Sequence, residues 1–455
     1  MGPKRNPTGK QPTSNSKGKK SDPKRKTAPS APRRLLAEQQ QNATSSKGKV
    51  SQDETSTHSE IDLSAAIVSI PVPLQQLLLN VFRTALLPDT SSNNDQEKED
   101  DLHTQIQTLK AHLFNRDFVS AFADASPELL RAYALRWSAS RCLAYVGIFK
   151  GVVLALLDKS LMLHRRHPDN IESKSNNENG LHVLCIGGGA GSEIVALAGV
   201  WRALLDEFNE AFSQNVRKLA DETEADVEFD LEKLSLTAKD AFLPQLSITA
   251  VDVAEWSNVV DSLSKTIHST TVPGQKMYPS PLLENSPEDE QPPVDISFRH
   301  LDVLSISEPD LSSLLSPHDA PKTNLVSLMF TLNELFSTSM PKTTQLLLRI
   351  TDETEPGTIL LIVDSPGSYS TLSLGGSTET AKQRQYPMKF LLEHTLLTVA
   401  EGKWEKMLSQ DSRWFRRDAS KLTYSVNLEG GDGLVKLEDM RYQIHVYRRL
   451  SSEVK

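Results

Sequence analysis

The chain has 455 residues, of which 38% are hydrophobic, 24% charged and 6% aromatic. That length can bury a sizeable core and, at about 150 residues per domain, allows up to about three domains. No apolar run approaches the roughly 20 residues of a membrane span, which argues against a membrane protein, and the composition excludes collagen, coiled-coil and disulfide scaffolds. The two cysteines, Cys142 and Cys185, form neither a disulfide framework nor a zinc quartet and fit a reducing compartment.

The net charge of −9 hides two opposite parts: residues 1–49 carry +11 and the remainder −20. Residues 1–60 are rich in Lys, Pro, Ser, Thr, Gly and Gln and lack the apolar surface to offset chain entropy, which predicts a disordered basic tail. With no apolar h-region it is not a signal peptide, and its Pro and Gly spacing argues against the amphipathic helix of a mitochondrial presequence. The clusters Lys17–Lys20 and Lys24–Lys26 read as nuclear-import or nucleic-acid contacts, or simply as a solubilising tail.

Residues 61–180 read as an N-terminal helical region. Leu74, Leu77, Leu78, Val81 and Phe82 repeat at helix spacing after Pro71 and Pro73. Pro88–Asp101 reads as a polar break. Leu109–Ala123 is periodic again, Ser126-Pro127-Glu128 is a helix start, and an apolar-faced stretch runs to about Leu163. His164–Gly180 reads as a loop, and isolated histidines such as His164 and His167, which lack an acid at metal-site spacing, as surface residues.

From Leu181 the pattern is α/β: Leu181–Ile186, Ser247–Val251, Ile296–Leu301, Leu325–Phe330, Thr358–Val363 and Tyr442–Tyr447 are short apolar strands alternating with helical stretches. This predicts a Rossmann-like, mostly parallel sheet over 181–455, with surface insertions at about 206–246 and 272–294. The first strand runs into Gly187-Gly188-Gly189-Ala190-Gly191, and a helix starts at Ser192 or Glu193. Gly187-x-Gly189-x-Gly191 departs from the dinucleotide fingerprint and has the spacing of an S-adenosyl-L-methionine (SAM) loop. Asp252 ends the second strand, where an acid binds ribose hydroxyls or caps a helix. Asp302 follows the third, where methyltransferases often contact the adenine amino group.

Beyond the glycine loop, the segments Phe330–Leu335, Val363–Tyr369, Tyr386-Pro387-Met388 and Met440–Gln443 resemble the fungal 25S rRNA uridine N3-methyltransferase family, over about Pro71 to Arg449. The resemblance implies a SAM-dependent, Rossmann-like enzyme that methylates N3 of a uridine in large-subunit rRNA, in the nucleus and nucleolus, during ribosome biogenesis. Such an enzyme needs SAM and rRNA but neither metal nor membrane. Many methyltransferases place an acid where this chain has Cys185; Glu193, at the start of the following helix, is the residue expected to compensate.

N3 of neutral uridine carries a proton, so methyl transfer needs a base or a stabiliser for the anion. Asn333, Glu334 and Asp364 are the catalytic candidates at the ends of strands four and five. Glu334 or Asp364 would accept the proton, and Asn333 would read a uracil carbonyl. Structural alternatives stand beside each: Asn333 as a helix cap with Glu334 in the first turn, and Asp364 shaping the loop Ser365–Ser368. Neither cysteine falls on a target loop, against C5 chemistry, and Thr331–Phe336 stands where exocyclic-amine methyltransferases carry [DN]-P-P-[YF]. Trp414-Phe415-Arg416-Arg417, preceded by Arg413, reads either as an RNA contact or as core aromatics with a basic rim; Arg441 and Tyr442 read as structural. A ribosome-assembly factor that binds RNA without catalysis, or a protein methyltransferase, remains the alternative.

Overall fold

The structure, a computed structural model, describes residues 70–87, 95–166, 180–222, 243–285, 294–317, 321–367, 369–374, 382–417, 421–424 and 437–451. The basic tail, residues 223–242 and 286–293 of the two insertions, and His167 lie outside them.

Seven strands form one sheet: β1 (Leu181–Ile186), β2 (Leu246–Asp252), β3 (Val294–His300), β4 (Thr323–Met329), β5 (Ile359–Asp364), β8 (Trp404–Phe415) and β9 (Met440–Arg449). Their order is β3-β2-β1-β4-β5-β9-β8. The first five are mutually parallel, whereas β9 pairs antiparallel with both β5 and β8. The order reverses between β1 and β4, so a crevice opens at the carboxyl ends of those strands, where doubly wound sheets hold ligands. A separate hairpin, β6 (Tyr369–Leu374) and β7 (Lys382–Pro387), follows β5.

Alternation along each strand divides the core. Val183 and Cys185 of β1 face a cluster shared with α1 (Val72–Leu86), α3 (Pro127–Tyr133), α4 (Ala139–Arg166), α5 (Ser192–Glu222) and α6 (Ser257–Ile267). Leu184 and Ile186 face the other layer, with α7 (Glu308–Leu315), α8 (Leu332–Thr338), α9 (Met340–Glu353) and α10 (Met388–Glu393). The N-terminal helices therefore share one continuous core with the sheet. Ser126 caps α3, its Oγ accepting from the Leu129 amide at 3.3 Å, with Pro127 in the first turn.

Several elements depart from the sequence reading. α2 (Asp95–Phe114) begins inside the expected polar break, where the acids near its start suit the positive end of the helix dipole. α4 continues to Arg166, and α5 carries on through residue 222 of the expected first insertion. The helical run Pro127–Leu157 is long and apolar enough to cross a membrane by length and composition, although 61% of its most apolar window is buried in the protein. A count of uninterrupted apolar residues misses it, because Arg131, Arg136, Arg141 and Lys150 are interspersed. His182 and His445 are buried core residues rather than surface ones. The His182 ring meets Thr323 Oγ1 at 2.8 Å and Thr249 Oγ1 at 3.0 Å, so its polar atoms are satisfied between strands.

Candidate active site

The glycine bend joins β1 to α5. Gly187 adopts φ +80°, and a Cβ there would lie 2.2 Å from Thr331 Oγ1, so the bend and the β4–α8 turn approach as only glycine allows. At Gly189 a Cβ would lie 2.0 Å from the Trp256 indole. Gly188 and Gly191 close the turn, the Gly191 N–H donating to the Gly188 carbonyl at 3.1 Å.

Asp252, at the end of β2, faces this bend. Its Oδ2 accepts from the Gly189 amide at 3.2 Å and its Oδ1 from the Ala254 amide at 3.1 Å. Burial raises its pKa, against those backbone bonds. Asp302 follows the carboxyl end of β3, on the same side of the sheet, where the Leu301 N–H donates to the Asp252 carbonyl at 2.9 Å. Asp302 is exposed, with Oδ1 accepting from the Leu304 amide (3.0 Å) and Oδ2 from the Ser305 hydroxyl (2.7 Å), an Asx turn of its own.

Glu193, in the first turn of α5, is 3% exposed. Burial pushes its pKa up to about 8, opposed by its own backbone N–H and by the Arg141 charge, and reinforced by Asp252. Among the described residues, no hydrogen bond from another residue reaches its carboxylate. Arg141 was invisible to the sequence reading. It projects from α4, donates to the Tyr133 hydroxyl, and lies 5.4 Å from the Phe330 ring centroid. Phe330 is itself unusual, a non-glycine residue at φ +61°, and its ring stacks on Tyr145 at 6.5 Å. The sequence signal for Arg141 is slight: it is one of several cations interspersed in an apolar-faced helical run, as with any snorkelling arginine.

The catalytic candidates converge across β4 and β5. Asp364 is 3% exposed, and its Oδ2 accepts from the Asn333 amide at 2.9 Å while Oδ1 accepts from the Ser365 amide at 2.7 Å. Asn333 is not the cap of α8. That position is Thr331, which makes no side-chain cap, and Asp364 satisfies the free amide of the first turn from the neighbouring strand. The Oδ1 of Asn333 is buried without a partner among the described residues. Glu334 is half-buried. Burial and the charges of Asp364 and Asp252 push its pKa up to about 7, against the attraction of Arg141.

Four carboxylates, Glu193, Asp252, Glu334 and Asp364, thus surround the bend with one guanidinium among them. The surplus of acid fits a ligand that brings its own positive charge. SAM does so twice, at its ammonium and its sulfonium, and its carboxylate would answer Arg141. Among the described residues, no group of three or more His, Cys, Asp or Glu is placed to hold a metal ion. Cys185 is buried within β1, and burial raises its thiol pKa.

The strand order, the glycine bend and the acid after β2 define the class: a Rossmann-like SAM-dependent methyltransferase. A family model described as "Putative SAM-dependent methyltransferase" matches residues 89–448, and the chain belongs to that family. It is 31% identical over 359 residues to the Saccharomyces cerevisiae protein named 25S rRNA (uridine(2843)-N(3))-methyltransferase, covering 78% of this chain and 82% of the yeast protein. Among solved structures, an O-methyltransferase family protein from Burkholderia thailandensis is similar at TM-score 0.31 and 11% identity, covering 82% of this chain and 77% of that one. The 16S rRNA (adenine(1408)-N(1))-methyltransferase from Catenulisporales acidiphilia is similar at TM-score 0.26 and 10% identity, covering 62% and 91%.

Proposed function

We propose that this enzyme methylates N3 of a uridine in large-subunit rRNA during ribosome biogenesis, and that it does so in the nucleolus. The observation that carries the reading is Glu334: a carboxylate with its pKa near 7 at the carboxyl end of β4, beside an unpartnered Asn333 amide oxygen. The 31% identity to the yeast uridine-N3 enzyme supports it.

SAM, when bound, supplies an electrophilic methyl group. Gly187, Gly188, Gly189 and Gly191 give it a side-chain-free bend, Asp252 receives the ribose hydroxyls, and Asp302 stands at the strand where adenine is read. Glu193 meets the ammonium group, in place of the acid that Cys185 does not provide. Glu334 takes the N3 proton of uridine, a transfer favoured by a base whose pKa lies near the working pH. Asn333 hydrogen-bonds the polar edge of the uracil ring. Asp364 positions Asn333 by accepting its backbone amide, while its other oxygen accepts from the Ser365 amide. The basic tail supplies sequence-independent attraction to RNA and the import signal.

The test is transfer of labelled methyl from SAM to deproteinised large-subunit rRNA, followed by nucleoside analysis. Label in 3-methyluridine is expected. Label in 5-methyluridine or in a ribose-methylated nucleoside would overturn the reading.

A further inference from the structure

Trp414 lies on β8, the last strand of the sheet, and is 52% exposed. Two guanidinium groups flank its indole: Arg416 at 5.0 Å and Arg441 at 5.9 Å from the ring centroid. Arg441 is directly opposite Trp414 in the ladder, and its Nε donates to Ser412 Oγ at 3.0 Å. Arg416 reaches Asp439 only at 3.9 Å, while Arg417 holds that carboxylate at 3.1 Å. An exposed indole carrying two cations, one of them loosely paired, suits a ligand that is both planar and anionic.

The register says where this surface lies. Asp364 pairs with Gln443, as Ile362 does with His445 and Leu360 with Tyr447. Ile362, Leu360 and Tyr447 belong to the core layer beneath α8, α9 and α10. Side chains alternate along a strand, so Arg441, two residues beyond Gln443, projects on that same face, and so does its partner Trp414. Phe415, next along β8, packs into the opposite core layer. Trp414 and Arg441 thus stand on the face of Asp364 and past the same edge of the sheet. Two strand spacings separate β5 from β8, about 10 Å, and two residues along the strand add about 7 Å.

We infer that Trp414, with Arg416 and Arg441, is a stacking platform for an unpaired RNA nucleotide adjacent to the target uridine. The base lies on the indole, and the arginines meet the flanking phosphates. This inference rests on the proposed action on RNA. A paired β-strand ligand fits this edge less well, because bulges between Lys406 and Leu408 and between Gln410 and Arg413 break its ladder.

The test uses the full-length protein and two probes, a fluorescein-labelled single-stranded uridine-rich oligoribonucleotide and deproteinised large-subunit rRNA. Trp414→Ala should weaken RNA binding about tenfold or more, whereas Trp414→Phe, which keeps an aromatic face, should stay within about threefold. Arg416→Ala and Arg441→Ala should each lower the slope of log affinity against log salt by about one. SAM affinity, read by calorimetry, should be unchanged in all four variants. Wild-type RNA affinity in a Trp414→Ala protein that still binds SAM overturns the platform and leaves the proposed reaction standing. A wild-type protein that binds SAM but neither RNA probe overturns both. Preferential binding of an acidic peptide over RNA at this surface also overturns the platform.

Discussion

Asp364 and Asn333 lie 31 residues apart, yet the Asp364 carboxylate closes the first turn of α8 by accepting the Asn333 amide at 2.9 Å. This contact ties the carboxyl ends of β4 and β5 together and fixes both Asn333 and Glu334 in front of the glycine bend. Asp364→Ala should therefore lower kcat at least tenfold while leaving SAM affinity within about threefold, with a stability loss of about 1–3 kcal/mol from the freed amides. Calorimetry, urea unfolding and rRNA methylation kinetics separate these effects.

Glu334→Gln should lower kcat by about 10²–10⁴-fold with SAM binding retained. The sign of the pH effect is fixed by the role. Glu334 acts as a base only when ionised, and its pKa is raised to about 7. Activity should therefore fall about tenfold per pH unit below pH 7 in the wild type. That acidic limb should vanish from the residual activity of the variant, as measured by initial rates on rRNA.

Arg141→Met removes the one guanidinium beside Glu193 and Tyr133. Binding of S-adenosylhomocysteine, which keeps the amino-acid carboxylate, should weaken about 10- to 100-fold. Binding of methylthioadenosine, which lacks it, should change less than about threefold. Equal losses for both ligands would place Arg141 in the fold rather than at the carboxylate.

Gly189→Arg forces a side chain into the space of the Trp256 indole and against the amide that Asp252 holds. SAM binding should be lost in calorimetry, while overpacking costs about 1–3 kcal/mol of stability.

His182 gives a stability test away from the site. Burial lowers its pKa to about 4 from an ordinary 6.5. The unfolded chain then binds more protons between those values, so stability is full above pH 6.5 and is lost as pH falls toward 4. At pH 5 the loss is about 2 kcal/mol. Glu193 and Glu334, whose raised pKa values act in the opposite direction, titrate in both proteins of a matched pair. From pH 7.5 to 5, the urea stability of His182→Gln relative to wild type should therefore rise by about 2 kcal/mol.

The parts of this site legible in the sequence were those built from local pattern. The apolar run Leu181–Ile186 feeding a glycine bend is a contiguous signal, and the structure has β1 with those bounds. Asp252 and Asp364 stand out in the sequence because each ends an apolar strand. Arg141 is not apparent there, because Phe330, Glu193 and Glu334, which lie near it, follow β4 or open α5 and α8, and helical periodicity shows only that a face is buried. β8 was missed for a related reason. Its polar, doubly bulged sequence has no clean alternation, and it becomes a strand only by pairing with β9. His182 shows the same limit, since only the folded sheet brings Thr323 and Thr249 to its ring.

The most direct test of the central claim is mass spectrometry of nucleosides from large-subunit rRNA of cells lacking this gene, rescued with wild type or with Glu334→Gln. The account predicts that 3-methyluridine falls in the deletion, returns with wild type and stays low with Glu334→Gln. An unchanged 3-methyluridine content in the deletion would contradict it.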